Sequence, residues 1–261
     1  MSDFRRRRLA ALAAKIAALE AGKRAGAGVL PFGEPALDGC LAGGGLPLGR
    51  WHEIGGEGLE SETGAAPAAF AALLASPLAR RGEAVWVMRR DDLWAPGLAG
   101  LGFPPARLIQ VCARDEAEAL MVMEDALATA GVAAVIGEVD TVDLTAGRRL
   151  QLACEKRGAT GFAIRRRPFG GAGRAEAAGS VAATRWRVAS APSEPAAGEF
   201  GLGAPRFSVT LERSRGGRPG AWVLEAVHAY SWETGDAAHP LRLVAELGDR
   251  ELAPARERRA A

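Results

Sequence analysis

One segment of the chain has the length and two of the fixed residues of a phosphate-binding loop. Residues 56–63 read Gly-Glu-Gly-Leu-Glu-Ser-Glu-Thr. In the motif G-x-x-x-x-G-K-[ST], backbone N–H groups cradle phosphates, the lysine reaches the β and γ oxygens, and the hydroxyl holds magnesium. Gly56 and Thr63 agree with this motif, but Ser61 replaces its second glycine and Glu62 replaces its lysine.

The charge of this segment argues against nucleotide binding. The carboxylates of Glu57, Glu60 and Glu62 lie where a triphosphate would sit. Two like charges about 4 Å apart repel by ~1 kcal/mol in water and by ~4 kcal/mol at an intermediate dielectric. No lysine lies between Lys23 and Lys156, so a shift of register does not restore the cation. We therefore expect a loop that keeps the fold of a phosphate-binding loop without its ligand, and a protein without a cofactor.

From residue 30 onward, short apolar segments alternate with segments of helical length. The expected strands are residues 51–54, 84–88, 108–111, 133–136 and 160–164, and the expected helices are 65–80, 115–130 and 144–157. Apolar strands that alternate with helices predict an α/β fold with a central, mostly parallel sheet covered on both faces. Alternating segments at 184–190, 207–211 and 222–227 predict an antiparallel C-terminal extension of this sheet.

The stretch that leads into the loop resembles the start of the RecA-type core. Leu30–Asp38 ends in a Leu-Asp turn, and Gly43–Ile54 contains a Gly-Gly-Leu-Pro-x-Gly turn before a strand that ends in Glu-Ile. The resemblance spans about residues 30–230 and implies a RecA-like domain.

The same resemblance implies which positions would serve ATP hydrolysis, and these positions are altered. Where RecA-like ATPases have a glutamate that activates water, the chain has Arg90, with Asp91 or Asp92 as substitutes if the alignment shifts. An arginine cannot accept a proton. The Walker B-like strand leads to Glu138, a carboxylate that could bind magnesium. We expect no catalytic residues and no metal site.

Charge is segregated along the chain. Residues 114–143 contain eight acidic residues and one arginine, whereas residues 148–187 contain ten basic residues and two glutamates. The resemblance implies that a mobile DNA-binding loop begins near residue 165. We predict a basic surface for DNA or another anionic partner, and the alternative is that its arginines pair with the acidic 114–143 segment. The predicted residues are Arg165, Arg166, Arg167, Arg185 and Arg187.

The beginning of the chain predicts a helix that needs a partner surface. Residues 4–21 carry an apolar seam over two heptads, which is too short for a stable coiled coil on its own. The seam residues are Leu9, Leu12, Ile16 and Leu19. Their partner is either the chain's own domain or another protein. We expect residues 1–29 to form an N-terminal helix and hinge, residues 30–235 the RecA-like domain, and residues 236–261 a polar C-terminal tail.

Composition narrows the class of protein. The chain is 48% hydrophobic and 25% charged, with a net charge of +2, as is usual for globular domains. Its three cysteines are far apart, which argues against disulfides and zinc. No apolar run reaches the ~18 residues of a membrane span, and we expect a cytoplasmic protein without a membrane partner. We expect Trp86, Trp94, Trp186 and Trp222 in the core, with Trp94 the one most suited to a partner contact, and His52 in the core or at the edge of the sheet.

A closer resemblance is to the ImuA proteins of bacterial mutagenesis cassettes. The number and order of the matching segments make it specific: Leu30–Asp38, Gly43–Ile54, Asp92–Leu98, Asp143–Thr145, Arg148–Ala153, Ala182–Val188 and Arg215–Gly220. The resemblance implies a role in SOS-induced translesion synthesis after DNA damage. It also implies work alongside ImuB, a catalytically silent relative of Y-family polymerases, and an error-prone replicative-type DNA polymerase.

From these observations we expect a non-catalytic accessory protein that uses a RecA-like shape to bind RecA, ImuB or both. Two alternatives stay open. One is a DNA-repair ATPase with an unorthodox nucleotide site, and the other is a SulA-like inhibitor of cell division.

Overall fold

Most of the described chain is built around one large mixed sheet. The computed structural model describes residues 28–57, 65–166, 180–195, 198, 200–227 and 239–247. The strands are β1 (Val29–Leu30), β2 (Leu46–Pro47), β3 (Trp51–Gly56), β4 (Glu83–Met88), β5 (Leu108–Cys112), β6 (Val132–Val139), β7 (Thr160–Arg165), β8 (Thr184–Ala191), β9 (Arg206–Ser214), β10 (Gly220–Ala226) and β11 (Leu241–Glu246). The helices are α1 (Pro35–Asp38), α2 (Ala65–Ala79), α3 (Ala95–Ala99), α4 (Glu116–Leu127) and α5 (Leu144–Arg157), with a 3-10 turn at Pro105–Arg107.

The sheet has a parallel half and an antiparallel half. Its strand order is β11-β10-β9-β8-β3-β7-β6-β4-β5. The six strands from β8 to β5 in this order are parallel, and β9, β10 and β11 continue the sheet antiparallel. This architecture confirms the predicted α/β class with an antiparallel extension, and it is consistent with a RecA-like core.

Helices cover the two faces of the sheet in different ways. On one face, α2 is built largely from alanine and is buried on nearly all sides, so its backbone can approach the strands closely. On the other face lie α4 and α5, each with one apolar side toward the sheet. Here Gly137 of β6 allows α4 to approach, because a Cβ at this position would lie 2.1 Å from the Met123 sulfur.

Both outer helices lie where their sequences predict, but α4 ends at Leu127, three residues before its predicted end. The Asp115 side chain caps α4 by accepting a hydrogen bond from the Glu118 N–H at 2.9 Å. The Asp143 side chain caps α5 by accepting from the Ala146 N–H at 2.7 Å. Gly158 ends α5 in a left-handed conformation with φ of 78°, which glycine adopts without steric cost.

The C-terminal part of the chain differs from the expected polar tail. Residues 241–246 form β11, which pairs antiparallel with β10 at the edge of the sheet. Leu241 and Leu243 pack against the core, while Arg242 forms an ion pair with Glu225 of β10. The tail prediction was wrong for these residues because two leucines among charged neighbours give only a weak strand pattern.

Residues 1–27 lie outside the described residues, and with them the predicted seam of Leu9, Leu12, Ile16 and Leu19. Within the part of the chain that the structure describes, no helix is long and apolar enough to span a membrane.

Candidate functional site

Two carboxylates and one arginine meet at the carboxyl edge of the parallel strands. Arg166, directly after β7, donates from Nη1 to Glu138 Oε2 at 2.5 Å. The same guanidinium donates to both oxygens of Asp92, at 3.1 Å from Nη1 and 2.7 Å from Nη2. We call these three residues the Arg166 cluster.

The strand order brings these residues together. In the sheet β6 lies between β4 and β7, so Glu138 near the end of β6 has the segments that follow β4 and β7 on either side. The Arg166 N–H donates to the Val139 carbonyl at 2.8 Å, which fixes the start of the arginine against β6. From β4, the Trp86 indole donates to Glu138 Oε1 at 3.0 Å. Both carboxylate oxygens of Glu138 therefore have a donor.

Two of the three members of the cluster are largely shielded from water, and Asp92 is partly exposed. The Glu138 side chain is 2% exposed and that of Arg166 is 18% exposed. Burial raises the pKa of Glu138, and the Arg166 charge and the Trp86 hydrogen bond oppose that rise. Burial lowers the pKa of Arg166, but its bonds to Asp92 and Glu138 outweigh this and raise it. The arginine is therefore permanently charged and held between two acids.

These are the positions that the sequence analysis compared with an ATPase site. Glu138 is the Walker B-like residue, and Asp92 was one of the substitutes for the general base. Arg166 bridges both of them, and Arg90 Nε also lies 3.8 Å from Asp92 Oδ2. Both carboxylates are thus engaged by the Arg166 guanidinium.

The structure describes only part of residues 56–63, the segment that resembles a phosphate-binding loop. Gly56 is the last residue of β3, and α2 begins at Ala65. A strand, a short connection and a helix form the structural context of a phosphate-binding loop. Ser61, Glu62 and Thr63 lie outside the described residues, so their predicted roles stay predictions.

The four described arginines of the predicted basic surface divide between the two faces of the sheet. Arg165, Arg185 and Arg187 share one face, beside Glu53 and Gly55 of β3, and Arg166 lies on the other. Arg165 and Arg166 are consecutive at the end of β7 and point to opposite faces of the sheet, since side chains alternate along a strand. Arg165 lies 3.6 Å from Glu53 on β3, and Arg185 of β8 donates to the same glutamate at 3.1 Å. Arg187 forms an ion pair with Glu212 of the neighbouring β9.

Each of these four arginines therefore has a carboxylate partner within the chain. The alternative prediction was that these arginines pair with the acidic 114–143 segment. It holds for Arg166, because its partner Glu138 belongs to that segment. Glu53, whose side chain is 7% exposed, was not among the predicted site residues. The signal was a glutamate within a strand expected to be buried, because a buried charge requires a partner. Arg167 lies outside the described residues.

His52 belongs to a buried hydrogen-bond network and not to a catalytic site. Its Nε2 lies 2.9 Å from the Pro47 carbonyl, which can only accept, so this nitrogen carries the proton. Its Nδ1 lies 2.7 Å from the Thr184 hydroxyl, which also accepts from the Trp186 indole. Burial lowers the pKa of His52 to about 4, although its bond to Pro47 opposes this shift. The histidine is neutral and structural.

Three of the four tryptophans lie in the core as expected, and Trp94 does not. Trp86, Trp186 and Trp222 are buried, whereas Trp94 is 73% exposed. Trp94 follows Asp92 closely along the chain, and its ring lies against Gly97, where a Cβ would be 2.7 Å from the indole Cε3. A large aromatic surface is thus exposed beside the Arg166 cluster.

Comparison with known proteins gives a close relative. The chain is 58% identical over 242 residues to Protein ImuA of Caulobacter vibrioides strain NA1000 / CB15N, which covers 91% of this chain and 97% of that protein. Protein ImuA of Caulobacter vibrioides strain ATCC 19089 / CIP 103742 / CB 15 gives the same identity and coverage. No protein-family model matches the chain.

Proposed function

The chain belongs to the ImuA family, and from this membership we propose that it is a non-catalytic accessory protein of SOS-induced mutagenesis. It binds RecA, ImuB or both, and so brings an error-prone replicative-type polymerase to damaged DNA. Its RecA-like domain acts as a docking module and not as a nucleotide-driven motor.

The observation that carries the non-catalytic part of this proposal is the Arg166 cluster. In phosphate-loop ATPases a carboxylate helps to hold magnesium, and in RecA-like ones a glutamate activates water. Here Glu138 and Asp92, the best candidates for these tasks, are bridged by one guanidinium at 2.5 to 3.1 Å. Such an arrangement supports a structural clamp between β4, β6 and β7.

Trp94 supports the docking part of the proposal. Exposed tryptophans are frequent among the residues that contribute most to protein–protein affinity. The Trp94 ring packs against the backbone at Gly97, where an added Cβ would lie 2.7 Å from Cε3. We propose that it is an anchor for one of the protein partners.

The experiment is a pull-down of tagged full-length protein from DNA-damaged cells, with the recovered proteins identified by mass spectrometry. The wild-type chain should recover ImuB, RecA or the polymerase, and Trp94→Ala should lose at least one of them. Phe200→Ala is the matched control, because it removes another exposed aromatic ring from a loop. Recovery of none of these proteins by the wild-type chain would show that the proposed function is wrong.

One observation favours the ATPase alternative, and it has its own test. The strand-loop-helix context at residues 51–79 is that of a nucleotide site. If the chain is an ATPase, purified protein should turn over ATP and Glu138→Ala should abolish the turnover. We expect no turnover in either protein.

A further inference from the structure

A cavity lies at the amino edge of the parallel strands, opposite the edge that holds the Arg166 cluster. Its lining includes Arg50, which precedes β3, and Ala183, which precedes β8. Gln151 of α5 and Arg215, which follows β9, also line it. Its volume is about 300 Å³, at the lower end of the range of ~300–1,000 Å³ that is usual for small-molecule sites.

Much of the lining is apolar. Val29 of β1, Pro47 of β2 and Leu48 all line the cavity, and the Leu48 N–H donates to the Gly28 carbonyl at 2.9 Å, which holds the two short strands together. Gly43 lines it as well, with a left-handed φ of 82° that favours glycine. A Cβ at this position would lie 3.2 Å from Val29 Cγ1. The glycine therefore leaves space beside an apolar wall.

The polar part of the lining is positively charged. It contains Arg50, Arg215 and the amide of Gln151, and no acidic residue. The Arg50 side chain is 22% exposed, and its Nη1 donates to Glu155 Oε1 at 2.5 Å. Among the described residues this is the only hydrogen bond or ion pair of the Arg50 side chain, so most of its N–H donors remain available to a ligand.

We propose that this cavity binds a small apolar organic acid, whose hydrocarbon part lies against Val29, Pro47 and Leu48 and whose carboxylate pairs with Arg50. A planar guanidinium matches a carboxylate with two parallel N–H···O bonds. The apolar wall lowers the local dielectric constant and so strengthens this pair. A neutral compound of the same shape would gain only the apolar contacts and would bind more weakly.

The existing contact between Arg50 and Glu155 does not block such a ligand. The Glu155 side chain is 46% exposed, and its Oε1 also accepts from Gln151 Nε2 at 3.0 Å. When a ligand carboxylate takes the Arg50 guanidinium, Glu155 keeps the Gln151 amide and water as partners. An ion pair this exposed contributes little free energy, so its rearrangement costs little.

Titration of the full-length protein with hydrocinnamate, followed by its amide NMR spectrum, tests this proposal. Hydrocinnamate carries one carboxylate on a short apolar body. The backbone amide of Gly43 and the side-chain amide of Gln151 should shift, because both residues line the cavity. Hydrocinnamamide has the same shape without the charge and should bind about ten-fold more weakly, since hydrogen bonds to charged groups are the stronger ones.

Three variants locate the binding. Arg50→Gln should remove most of the preference for the acid, and the fold should be kept because Glu155 is open to water. Arg107→Gln is the matched control, since it breaks the exposed pair with Glu83 outside the cavity, and it should keep the preference. Ala42→Phe places a large side chain in the lining and should abolish the binding of both compounds.

Each outcome decides the proposal. A preference for the acid that Arg50→Gln loses and Arg107→Gln keeps supports it. Equal affinity for acid and amide, an unchanged preference in Arg50→Gln, or no shift at Gly43 with up to about 10 mM acid overturns it. If Ala42→Phe does not fold, the Arg50→Gln result still decides. This inference does not rest on the proposed function, because the pull-down described above can succeed or fail whether or not the cavity binds an acid.

Discussion

Replacing Arg166 with methionine is expected to destabilise the protein by about 3–5 kcal/mol, the usual cost when one partner of a buried ion pair is removed. The cost arises at Glu138, whose side chain is 2% exposed and cannot turn to water. Asp92 contributes less to the cost, because it is 33% exposed and can be solvated once the arginine is gone.

Urea unfolding followed by circular dichroism measures this loss. Adding Glu138→Gln to Arg166→Met removes the buried charge and keeps an amide oxygen that can accept from the Trp86 indole, so most of the stability should return. Arg107→Met is the matched control. It breaks the pair with Glu83, in which both side chains are exposed, and should cost less than about 1 kcal/mol.

The pH dependence of the loss separates a buried charge from lost packing. Without Arg166, burial raises the pKa of Glu138 further in the folded state than in the wild-type chain. A carboxyl group whose pKa is raised on folding contributes stability below its unfolded pKa and loses it as pH rises through the folded pKa. The Arg166→Met penalty should therefore be larger at about pH 8 than at about pH 5. A loss below about 1 kcal/mol, or one that does not shrink on acidification, would refute this reasoning.

Three further predictions concern ligands and pH. ATP should bind no tighter than about millimolar in a calorimetric titration, because Glu62 replaces the phosphate-binding lysine, and micromolar affinity would contradict this. Combined Arg165→Ser, Arg167→Ser and Arg187→Ser should weaken single-stranded DNA binding in fluorescence anisotropy, with a steep salt dependence in the wild-type chain. If affinity is kept and the melting temperature falls, these arginines are structural. Below about pH 6.5 the unfolded chain protonates His52 while the folded one, with a pKa of about 4, does not. As the pH is lowered through this range, the unfolding free energy should therefore decrease by up to ~1.4 kcal/mol per pH unit. His52→Gln should make this decrease smaller, and an equal decrease in both proteins would contradict the prediction.

The parallel strands could be predicted from the sequence because a strand buried on both faces is apolar throughout. Residues 84–88 and 160–164 were expected as strands and are found in β4 and β7, each extended by one residue. The edge strand β11 escaped prediction since only one of its faces touches the core. A hydrophobic sequence pattern therefore identifies a strand only where most of its side chains are buried.

The members of the Arg166 cluster could be predicted one by one, but their contact could not. Glu138 and Asp92 stood out as carboxylates after strands, and Arg166 stood out as a basic residue. That they meet depends on β6 lying between β4 and β7, an order that neither composition nor spacing encodes. For the same reason the sequence did not show that Glu53 joins Arg185, which is 132 residues away.

The position of β3 between β7 and β8 has a consequence for how the protein is made. The strand leaves the ribosome early, yet Glu53 must wait for Arg185, 132 residues later, before its strand is flanked on both sides. At usual synthesis rates this delay is on the order of ten seconds. The hairpin of β9 and β10, by contrast, closes over residues 215–219 and can form without delay. The centre of the sheet therefore cannot close until β8 has been made, and until then the side chains of Trp51 and Ile54, which are buried in the folded protein, stay exposed on the nascent chain.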